Sequence, residues 1–562
     1  MDSRLFEDLI TPLAYFYRWE KERPNDVFLR QPYGETWKNT TFGEAGQAAR
    51  KLVSALQAMG LKKGDHIGII SKNCYHWVIA DLAIMMGGYV STPFYANLSA
   101  EQLSQVLPKS DTKAVFVGKL DSWDNIDAGI PADMPIIKFP HYEGNAKVTR
   151  GQDWDELLQK YSPVEGQHEP AMSDMWTILF TSGTTGTPKG VVHDYENASL
   201  IIRNEVLNNN LKVFEAKDPS FFSFLPLNHI AERTAVELAA LMCGAPIAFA
   251  ESLETFGKNL QDIQPTLFFA VPRIWTKFYM AVLAKMPQEK LDRMLRIPII
   301  STMVKKKIKK TLGLSKATLI LTGASITPEN LKQWYRRLGI NLREVYGMTE
   351  NFGGFTLMPE FGHRPHTVGR PVSNAEGRIH PETGEILMKM PWMMKGYYKE
   401  PELTAEVLVD DWLHTGDKGT IDEDGYFKIV GRVKDAFKTS KGKFIVPTEL
   451  EHHFSDNDFI EQICVAGLGI AQPVALINLS EIALGLQPEQ VTSQLEIHLN
   501  EVNSNLHGHE RISTVIIAKE AWSPDNNMLT PTLKIRRGAI DECYMPKYEP
   551  WHEDKRSIIW ED

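Results

Sequence analysis

A short loop rich in glycine and threonine constrains this chain more than any other stretch. Residues 181–190 read Thr-Ser-Gly-Thr-Thr-Gly-Thr-Pro-Lys-Gly, and the apolar run Trp176–Phe180 before them is typical of a buried strand. Backbone N–H groups, five small hydroxyls and the charge of Lys189 suit the oxygens of an anion. The sequence therefore predicts a phosphate-binding loop at a sheet end, where ligands of α/β folds commonly bind. An ordinary Gly/Thr turn is the alternative.

This loop departs from the phosphate-binding loop of nucleotide triphosphatases. That loop has four residues between its glycines, and its Gly-Lys pair is followed by Ser or Thr. Here two residues separate Gly183 from Gly186, and Gly190 follows Lys189. The stretch 181–190 therefore indicates a different way of holding phosphate.

Apolar periodicity around the loop predicts alternating helices and strands. Helical spacing extends from Ala45 to Met59 and over Cys74–Met86, and Ser99 with Gln102 forms a capping-box pattern that begins a further helix. Strands are predicted at His66–Ile70, Tyr89–Phe94, Ala114–Val117, Trp176–Phe180, Gly190–His193, Phe221–Leu225, Ala245–Ala250, Thr266–Val271 and Ala317–Thr322. This alternation predicts parallel α/β layers. Because 562 residues exceed one ordinary core, we expect at least two domains.

Composition restricts the class of protein. A formal net charge of −10 argues against a nucleic-acid binder, since neutralising phosphates requires a basic face. The four cysteines are too few for a disulfide scaffold and too far apart for a zinc site, which favours a reducing compartment. We expect a cytoplasmic protein with neither a secretory signal nor a transmembrane segment.

One basic cluster stands out against this acidic background. It comprises Lys305, Lys306, Lys307, Lys309 and Lys310, with Val304, Ile308 and Leu312 on one helical face. Such a cluster indicates either contact with anionic lipid or an ordinary solvated helix. The sequence leaves both interpretations open.

Seven further stretches follow the phosphate loop in a characteristic order. They are Phe224–Arg233 (FLPLNHIAER), Thr322–Ile326 (TGASI), Leu342–Asn351 (LREVYGMTEN), Trp412–Asp417 (WLHTGD), Gly425–Asp435 (GYFKIVGRVKD), Phe437–Pro447 (FKTSKGKFIVP) and Leu529–Arg537 (LTPTLKIRR). Together with residues 181–190 they resemble the adenylate-forming superfamily, which includes acyl-CoA synthetases, firefly luciferases and peptide-synthetase adenylation domains. A single motif would be weak evidence, whereas the ordered set over most of the chain is specific.

The resemblance implies a nucleotide site. Phosphates would be held by Thr181, Ser182, Gly183, Thr184, Thr185, Gly186 and Lys189, and the adenine would lie against Gly323, Ala324 and Ser325. Tyr346 would stack on the adenine, Thr349 would bond the α-phosphate, and Glu350 would hold a magnesium ion. Asp417 would contact the ribose, Arg432 would contact the ribose or a phosphate, and His229 would border the acyl and adenylate site. Taken without the resemblance, His229 is a core histidine, and Tyr346 and Glu350 are surface residues of a loop.

The resemblance also implies an α/β fold with two domains of unequal size. A large N-terminal domain of layered α/β subdomains, residues 1–433, would precede a smaller mobile α+β domain, residues 434–562, with a hinge near Lys434. Lys534 would serve adenylation, and Lys438 with Gly442 would serve thioester formation after the small domain rotates. Some relatives place glycine directly before the adenylation lysine, whereas Leu533 stands here.

The implied activity is that of an ATP-dependent fatty-acid–CoA ligase using Mg²⁺, with coenzyme A as co-substrate. The motifs LPL-x-H-x-x-ER, YGMTEN and LTPTLK are similar to those of long-chain enzymes. A ligase for a shorter or aromatic acid, or for a separate carrier protein, is the alternative within enzymes, and a nucleotide-binding regulator without turnover is the alternative outside them. Peripheral membrane contact and pairing as a homodimer are left open.

Overall fold

A computed structural model describes residues 2–182, 188–530 and 533–561 of the chain. The predicted phosphate-loop residues Gly183, Thr184, Thr185 and Gly186 lie outside the described residues. Within those ranges the strands form six sheets, with α-helices between them. The predicted α/β class is confirmed, with a large N-terminal domain and a smaller C-terminal domain.

The largest sheet carries the strand that leads into the phosphate loop. In spatial order its eight strands are Gly396–Tyr397, Pro188–Asp194, Met175–Ser182, Val90–Phe94, His66–Ser71, Thr112–Gly118, Ile136–Lys138 and Gln152–Asp153. The strand His66–Ser71 is buried at every position, as expected for a parallel strand covered on both faces.

Two strands of this sheet differ from the predicted parallel layering. Pro188–Asp194 runs antiparallel to Met175–Ser182, and Gly396–Tyr397 runs antiparallel to Pro188–Asp194. A parallel pair needs a crossover of a dozen or more residues, whereas the connection at the phosphate loop is short. The phosphate loop therefore joins two strands of a hairpin.

Three more sheets belong to the N-terminal domain. The first contains Phe221–Ser223, Ile247–Phe249, Val27–Tyr33 and Thr36–Thr41. The second contains Leu267–Ala270, Leu319–Gly323, Leu342–Tyr346, Thr356–Leu357 and Arg370–Pro371. The third contains Glu376–Ile379, Glu385–Lys389, Trp412–Ile421 and Leu408–Val409, and Phe427–Arg432 pairs with Trp412–Ile421. The second sheet begins with three parallel strands, and the third is antiparallel. Of the predicted motifs, Thr322–Ile326 and Leu342–Asn351 include strand residues of the second sheet, and Trp412–Asp417 and Gly425–Asp435 include strand residues of the third.

Helices cover these sheets. The α-helices of the described chain span Pro12–Glu22, Phe42–Ala58, Tyr75–Met86, Ala100–Lys109, Trp123–Gly129, Trp154–Lys160, Tyr195–Asn208, Ile230–Glu232, Ala239–Cys243, Phe256–Ile263, Pro272–Lys285, Gln288–Leu295, Pro298–Thr311, Glu329–Arg337, Pro401–Val407, Pro447–His452, Glu481–Leu484, Pro488–Ser504 and Arg537–Asp554, and Arg233–Leu238 is π-helical. The predicted capping box of Ser99 and Gln102 is present. Among the described residues we find no helix with the length and apolar character needed to cross a membrane.

The smaller domain has its own cores. A hairpin of Phe437–Lys438 and Phe444–Ile445 precedes a sheet of Ile460–Ala466, Val474–Leu479, Val515–Ile517 and Ile558–Trp560. Buried apolar residues up to Phe427 cluster with one another, and those from Ile445 onward form separate clusters. The boundary between 433 and 434 and the hinge near Lys434 stay predictions.

A buried charge network joins several elements of the N-terminal domain. The Arg233 guanidinium, fully buried, bonds Asp81 Oδ2 at 2.6 Å and Glu237 Oε2 at 3.0 Å. It also donates to Thr177 Oγ1 at 3.1 Å, while Ser91 Oγ donates to the second oxygen of Asp81 at 2.5 Å. The rings of Trp176 and Trp77 lie 4.3 and 5.4 Å from the guanidinium carbon. Burying a charge is costly unless it is paired in this way.

Removing one partner of this network should destabilise the fold. We expect Asp81→Ala to lower the free energy of unfolding by about 3–5 kcal/mol, because it strips a buried guanidinium of its closest carboxylate. The control is Asp121→Ala, which removes an exposed ion pair with Lys72 and should cost less than about 1 kcal/mol. Urea unfolding followed by tryptophan fluorescence measures both variants. Equal losses of stability would contradict the importance of the Asp81 ion pair.

Candidate active site

Two neighbouring parallel strands end at the predicted adenine turn. Gly323 ends its strand opposite Val345, one residue before Tyr346. A Cβ on Gly323 would lie 2.6 Å from the Val345 carbonyl oxygen, so only glycine fits without a shift of the backbone. The next residue, Ala324, adopts a left-handed conformation with φ of 66°. Gly323, Ala324 and Ser325 therefore form a tight turn beside Tyr346.

Tyr346, Asp417 and Arg432 meet although 86 residues separate the first from the last. The Tyr346 hydroxyl donates to Asp417 Oδ2 at 2.6 Å, and Arg432 Nε lies 2.9 Å from Asp417 Oδ1. Asp417 and Arg432 are directly opposite each other on antiparallel strands. Burial, reinforced by the Asp417 charge, raises the pKa of Tyr346, which keeps its hydroxyl a donor. The carboxylate is thereby held in a fixed position at the predicted ribose site.

Glu350 is held by a tyrosine that the sequence did not single out. The Tyr397 hydroxyl donates to Glu350 Oε1 at 2.7 Å, and Lys189 Nζ lies 5.1 Å from the centre of the Tyr397 ring. Tyr397 belongs to the short edge strand that pairs with Pro188–Asp194. The one available signal was the Gly-Tyr-Tyr triplet that begins at Gly396. Tyr397 thus links the predicted magnesium ligand with the lysine of the phosphate loop.

A buried histidine supports the Thr349 segment and was also missed from sequence. His193 Nε2 lies 2.8 Å from the Thr349 carbonyl oxygen, and its ring centre is 4.2 Å from that of Phe352. Burial lowers the pKa of His193 to about 4, so the ring is neutral at pH 7 and donates Nε2–H to that carbonyl. His193 therefore fixes the backbone that presents Thr349 and Glu350.

Lys534 reaches this group from the C-terminal domain. The Lys534 side chain is exposed to solvent. Surrounding protein atoms nevertheless lower its pKa, and the Arg432 charge lowers this pKa further. Asp417 and Glu350 act in the opposite direction on the same pKa. Burial lowers the pKa of His229 to about 4, and the Lys534 charge contributes to that shift. These charge effects place Lys534 within electrostatic range of His229, Glu350, Asp417 and Arg432.

The backbone before Lys534 takes a conformation that glycine would adopt more easily. Leu533 has φ of 61°, in the left-handed region, and an exposed side chain. Lys534 N donates to Thr530 Oγ1 at 3.0 Å, and Thr530 N donates to Lys534 O at 2.7 Å. These bonds close a turn that carries Lys534 despite a cost of roughly 1–2 kcal/mol for a left-handed leucine.

Lys438 and Gly442 are not part of this assembly. They lie on the hairpin of the small domain, where Gly442 has φ of 75° and Lys438 Nζ is 5.5 Å from the centre of the Phe444 ring. The Lys438 carbonyl accepts a hydrogen bond from Gly469 N at 3.3 Å. Within residues 188–530, no hydrogen bond or ion pair joins Lys438 or Gly442 to Glu350 or Asp417.

The strands that flank the phosphate loop are aligned for a hairpin. Thr181 is opposite Lys189, and Ser182 is opposite Pro188. The predicted loop therefore begins and ends at the same end of this strand pair, and the edge strand that contains Tyr397 pairs with its second strand. In the described part of the chain, no three or more His, Cys, Asp or Glu side chains form a group that could hold a metal ion. A magnesium ion at the predicted site would therefore rely on Glu350 and on substrate phosphates.

The chain is similar to known proteins in sequence and in fold. The chain is 28% identical to long chain acyl-CoA synthetase 2 of Arabidopsis thaliana, over 96% of this chain and 92% of that protein. Its fold is similar to the A domain of carboxylic acid reductase from Segniliparus rugosus in complex with AMP, with a TM-score of 0.80, 20% identity, and 98% and 96% of the two chains covered. An anthranilate CoA ligase in complex with anthranoyl-AMP has a TM-score of 0.76 at 18% identity, covering 98% and 100%.

The family comparison covers both domains. Residues 434–549 match the C-terminal domain of AMP-binding enzymes. Residues 16–398, more than two thirds of the chain, match the AMP-binding enzyme family itself. The ordered motifs, the site they build and this match lead to one conclusion: the chain belongs to the AMP-binding enzyme family.

Proposed function

We propose that this enzyme is an ATP-dependent fatty-acid–CoA ligase that acts on long-chain acids. The observation that carries the proposal is that Lys534 lies within electrostatic range of Glu350 and of the Asp417–Arg432 ion pair. The similarity to a protein named long chain acyl-CoA synthetase supports the choice of substrate. ATP, fatty acid and coenzyme A are the proposed substrates.

Adenylation solves the problem that a carboxylate is a poor electrophile. A carboxylate oxygen of the acid attacks the α-phosphorus of ATP, and pyrophosphate leaves as the acyl adenylate forms. Negative charge grows on the phosphoryl oxygens, so positive groups and donors must meet it. Lys534 and Thr349 are the proposed catalytic contacts, with His193 holding the Thr349 backbone.

A magnesium ion at Glu350 would neutralise phosphate charge during this step. The Tyr397 hydroxyl orients the Glu350 carboxylate through its hydrogen bond to Oε1, and Lys189 Nζ lies over the same ring. The segment 181–190 then serves as a clamp for the β- and γ-phosphates, which leave together. A kinase loop would instead hold phosphates for transfer of the γ group.

Thioester formation needs different surroundings. The thiol of coenzyme A attacks the acyl carbonyl, and AMP leaves with its phosphate. We assign Lys438 and Gly442 to this step, with residues 434–562 rotating about Lys434 to bring them to the site. Gly442 has no side chain beyond hydrogen, which leaves room for close approach by a pantetheine arm.

A shorter or aromatic acid is the second candidate substrate. An anthranilate CoA ligase and a carboxylic acid reductase domain share this fold, although at 18% and 20% identity such likeness concerns the fold alone. A carrier-protein thiol could replace coenzyme A without any change at Lys534. Membrane contact and homodimer formation stay predictions of the sequence.

An acid panel tests the proposed substrate. We expect pyrophosphate release from ATP to be fastest with acids of long chain, because the sequence motifs are those of long-chain ligases. Benzoate, anthranilate and octanoate serve as comparisons in the same assay, with and without coenzyme A. A preference for an aromatic acid would overturn the proposed substrate, and silence with every acid would favour a regulator.

Lys534 and Lys438 should separate the two half-reactions. We expect Lys534→Ala to slow pyrophosphate release by about 100- to 1000-fold, as loss of one electrostatic contact to the transition state commonly does. The same variant should still form thioester from supplied acyl adenylate. Lys438→Ala is the matched control and should show the reverse pattern. If each variant slowed both half-reactions equally, the division of labour would be wrong.

The pH dependence of adenylation reports the charge of Lys534. Because its pKa is lowered, Lys534 loses its proton at a lower pH than an ordinary lysine, whose pKa is about 10.4. Pyrophosphate release should therefore be constant at lower pH and fall as pH rises through that lowered pKa. Lys534→Arg keeps the charge, so its residual activity should hold to higher pH. Coincident alkaline limbs for the two proteins would exclude Lys534 as the titrating group.

A further inference from the structure

The helix Pro298–Thr311 exposes apolar side chains that have no evident role in the site. One face of this helix, with Ser301, Val304 and Ile308, is buried against the N-terminal domain. Near the start of the helix, the opposite face carries large apolar side chains that are exposed to solvent. Ile297, Ile299 and Met303 are 50%, 78% and 67% exposed. Three large apolar side chains so close together are unusual for a surface, where single exposed ones are ordinary.

Positive charge surrounds this apolar tip on both sides. Arg293 and Arg296 precede it, and Lys306, Lys307 and Lys310 follow it; all five are exposed. Between residues 285 and 316 the chain has ten basic and two acidic residues, whereas the whole chain has a net charge of −10. Over 188–530, none of these five side chains is within salt-bridge distance of a carboxylate. The basic groups are therefore available to an external anion.

We propose that the segment 293–310 is a docking surface for anionic phospholipid bilayers. Its apolar tip would enter the headgroup region while the flanking lysines and arginines contact lipid phosphates, the pattern of an interfacial amphipathic helix. An anionic bilayer offers both an apolar region for the tip and phosphates for the basic side chains. A nucleic acid would leave Ile299 and Met303 unused, and a second copy of the chain would place like charges against each other.

The surface is preformed and docks without refolding. Val304 and Ile308 pack in the same core as Leu260, Leu331 and Trp334, so the orientation of the exposed face is fixed. The helix also lies between the strands Leu267–Ala270 and Leu319–Gly323 in sequence, and the second of these ends at the adenine turn. The bilayer surface and the nucleotide site are thus built on one sheet. The inference is independent of which acid the enzyme activates.

Vesicle sedimentation of the full chain tests the proposal. We expect the protein to pellet with vesicles of phosphatidylglycerol and phosphatidylcholine, and to stay in the supernatant with phosphatidylcholine alone. Raising the salt concentration should release most of it, because exposed charges are screened. Lys306→Gln, Lys307→Gln and Lys310→Gln combined should weaken binding by about 100-fold, since each lysine near an anionic surface contributes about five-fold. Ile299→Ser with Met303→Ser should weaken it by about 100-fold, because two large apolar side chains would no longer enter the headgroup region.

Matched controls use equivalent changes elsewhere on the surface. Lys62→Gln, Lys113→Gln and Lys217→Gln remove the same charge from exposed lysines, and Leu484→Ser changes a leucine of 70% exposure in the small domain. Both controls should bind vesicles as the unmodified protein does. Equal loss in controls and test variants, or no preference for phosphatidylglycerol, would overturn the proposal. So would dimerisation in solution that Ile299→Ser abolishes, because the face would then belong to a second copy.

Pyrophosphate release with a water-soluble acid separates this inference from the proposed function. The lysine and apolar variants should keep that activity while losing vesicle binding. An enzyme that binds vesicles but activates no fatty acid would contradict the proposed function and leave the docking surface supported. Far-ultraviolet circular dichroism confirms that each variant is folded.

Discussion

The buried guanidinium of Arg233 is the interaction on which the N-terminal domain depends most. It touches a helix through Asp81, a strand through Thr177 and its own π-helical segment through Glu237. The same strand leads to the phosphate loop, and Arg233 ends the FLPLNHIAER motif that contains His229. A guanidinium in an apolar interior is tolerated only when every partner is in place. Assembly of the core therefore couples the strand that leads to the loop with the segment that carries His229.

The charged side chains of the candidate site are paired to different degrees. Arg432 is neutralised by a direct ion pair with Asp417, whereas Lys534, within the described ranges, has no carboxylate at salt-bridge distance. Surrounding protein atoms and the Arg432 charge both lower the pKa of Lys534 and so disfavour its protonated form. A cation in such surroundings gains more from an incoming phosphate than one that is already paired. In the proposed mechanism the Asp417–Arg432 ion pair orients the site, and Lys534 is available to substrate charge.

Sequence patterns predicted much of this arrangement because the key residues lie in local motifs. The Ser99 capping box depends on residues three apart, and the strand before the phosphate loop is a plain apolar run. Tyr397 and His193 were missed because their partners, Glu350 and Thr349, are 47 and 156 residues away. The antiparallel hairpin was missed for a related reason, since strand direction depends on pairing. Residues 183–187 lie outside the described chain, so the loop's own roles stay predictions.

The small domain holds Lys534 and Lys438 in one framework. Arg537, three residues after Lys534, donates to the Val465 carbonyl and to Glu451, each at 2.7 Å, which ties the Lys534 turn to the domain core. The Lys438 hairpin is tied to the same domain through Gly469. Because both lysines are fixed to one body, the proposed rotation that brings Lys438 toward Glu350 would move Lys534 as well. Arg537 Nε also lies 3.5 Å from Asp435, next to Lys434, so the proposed hinge begins where this shared framework ends.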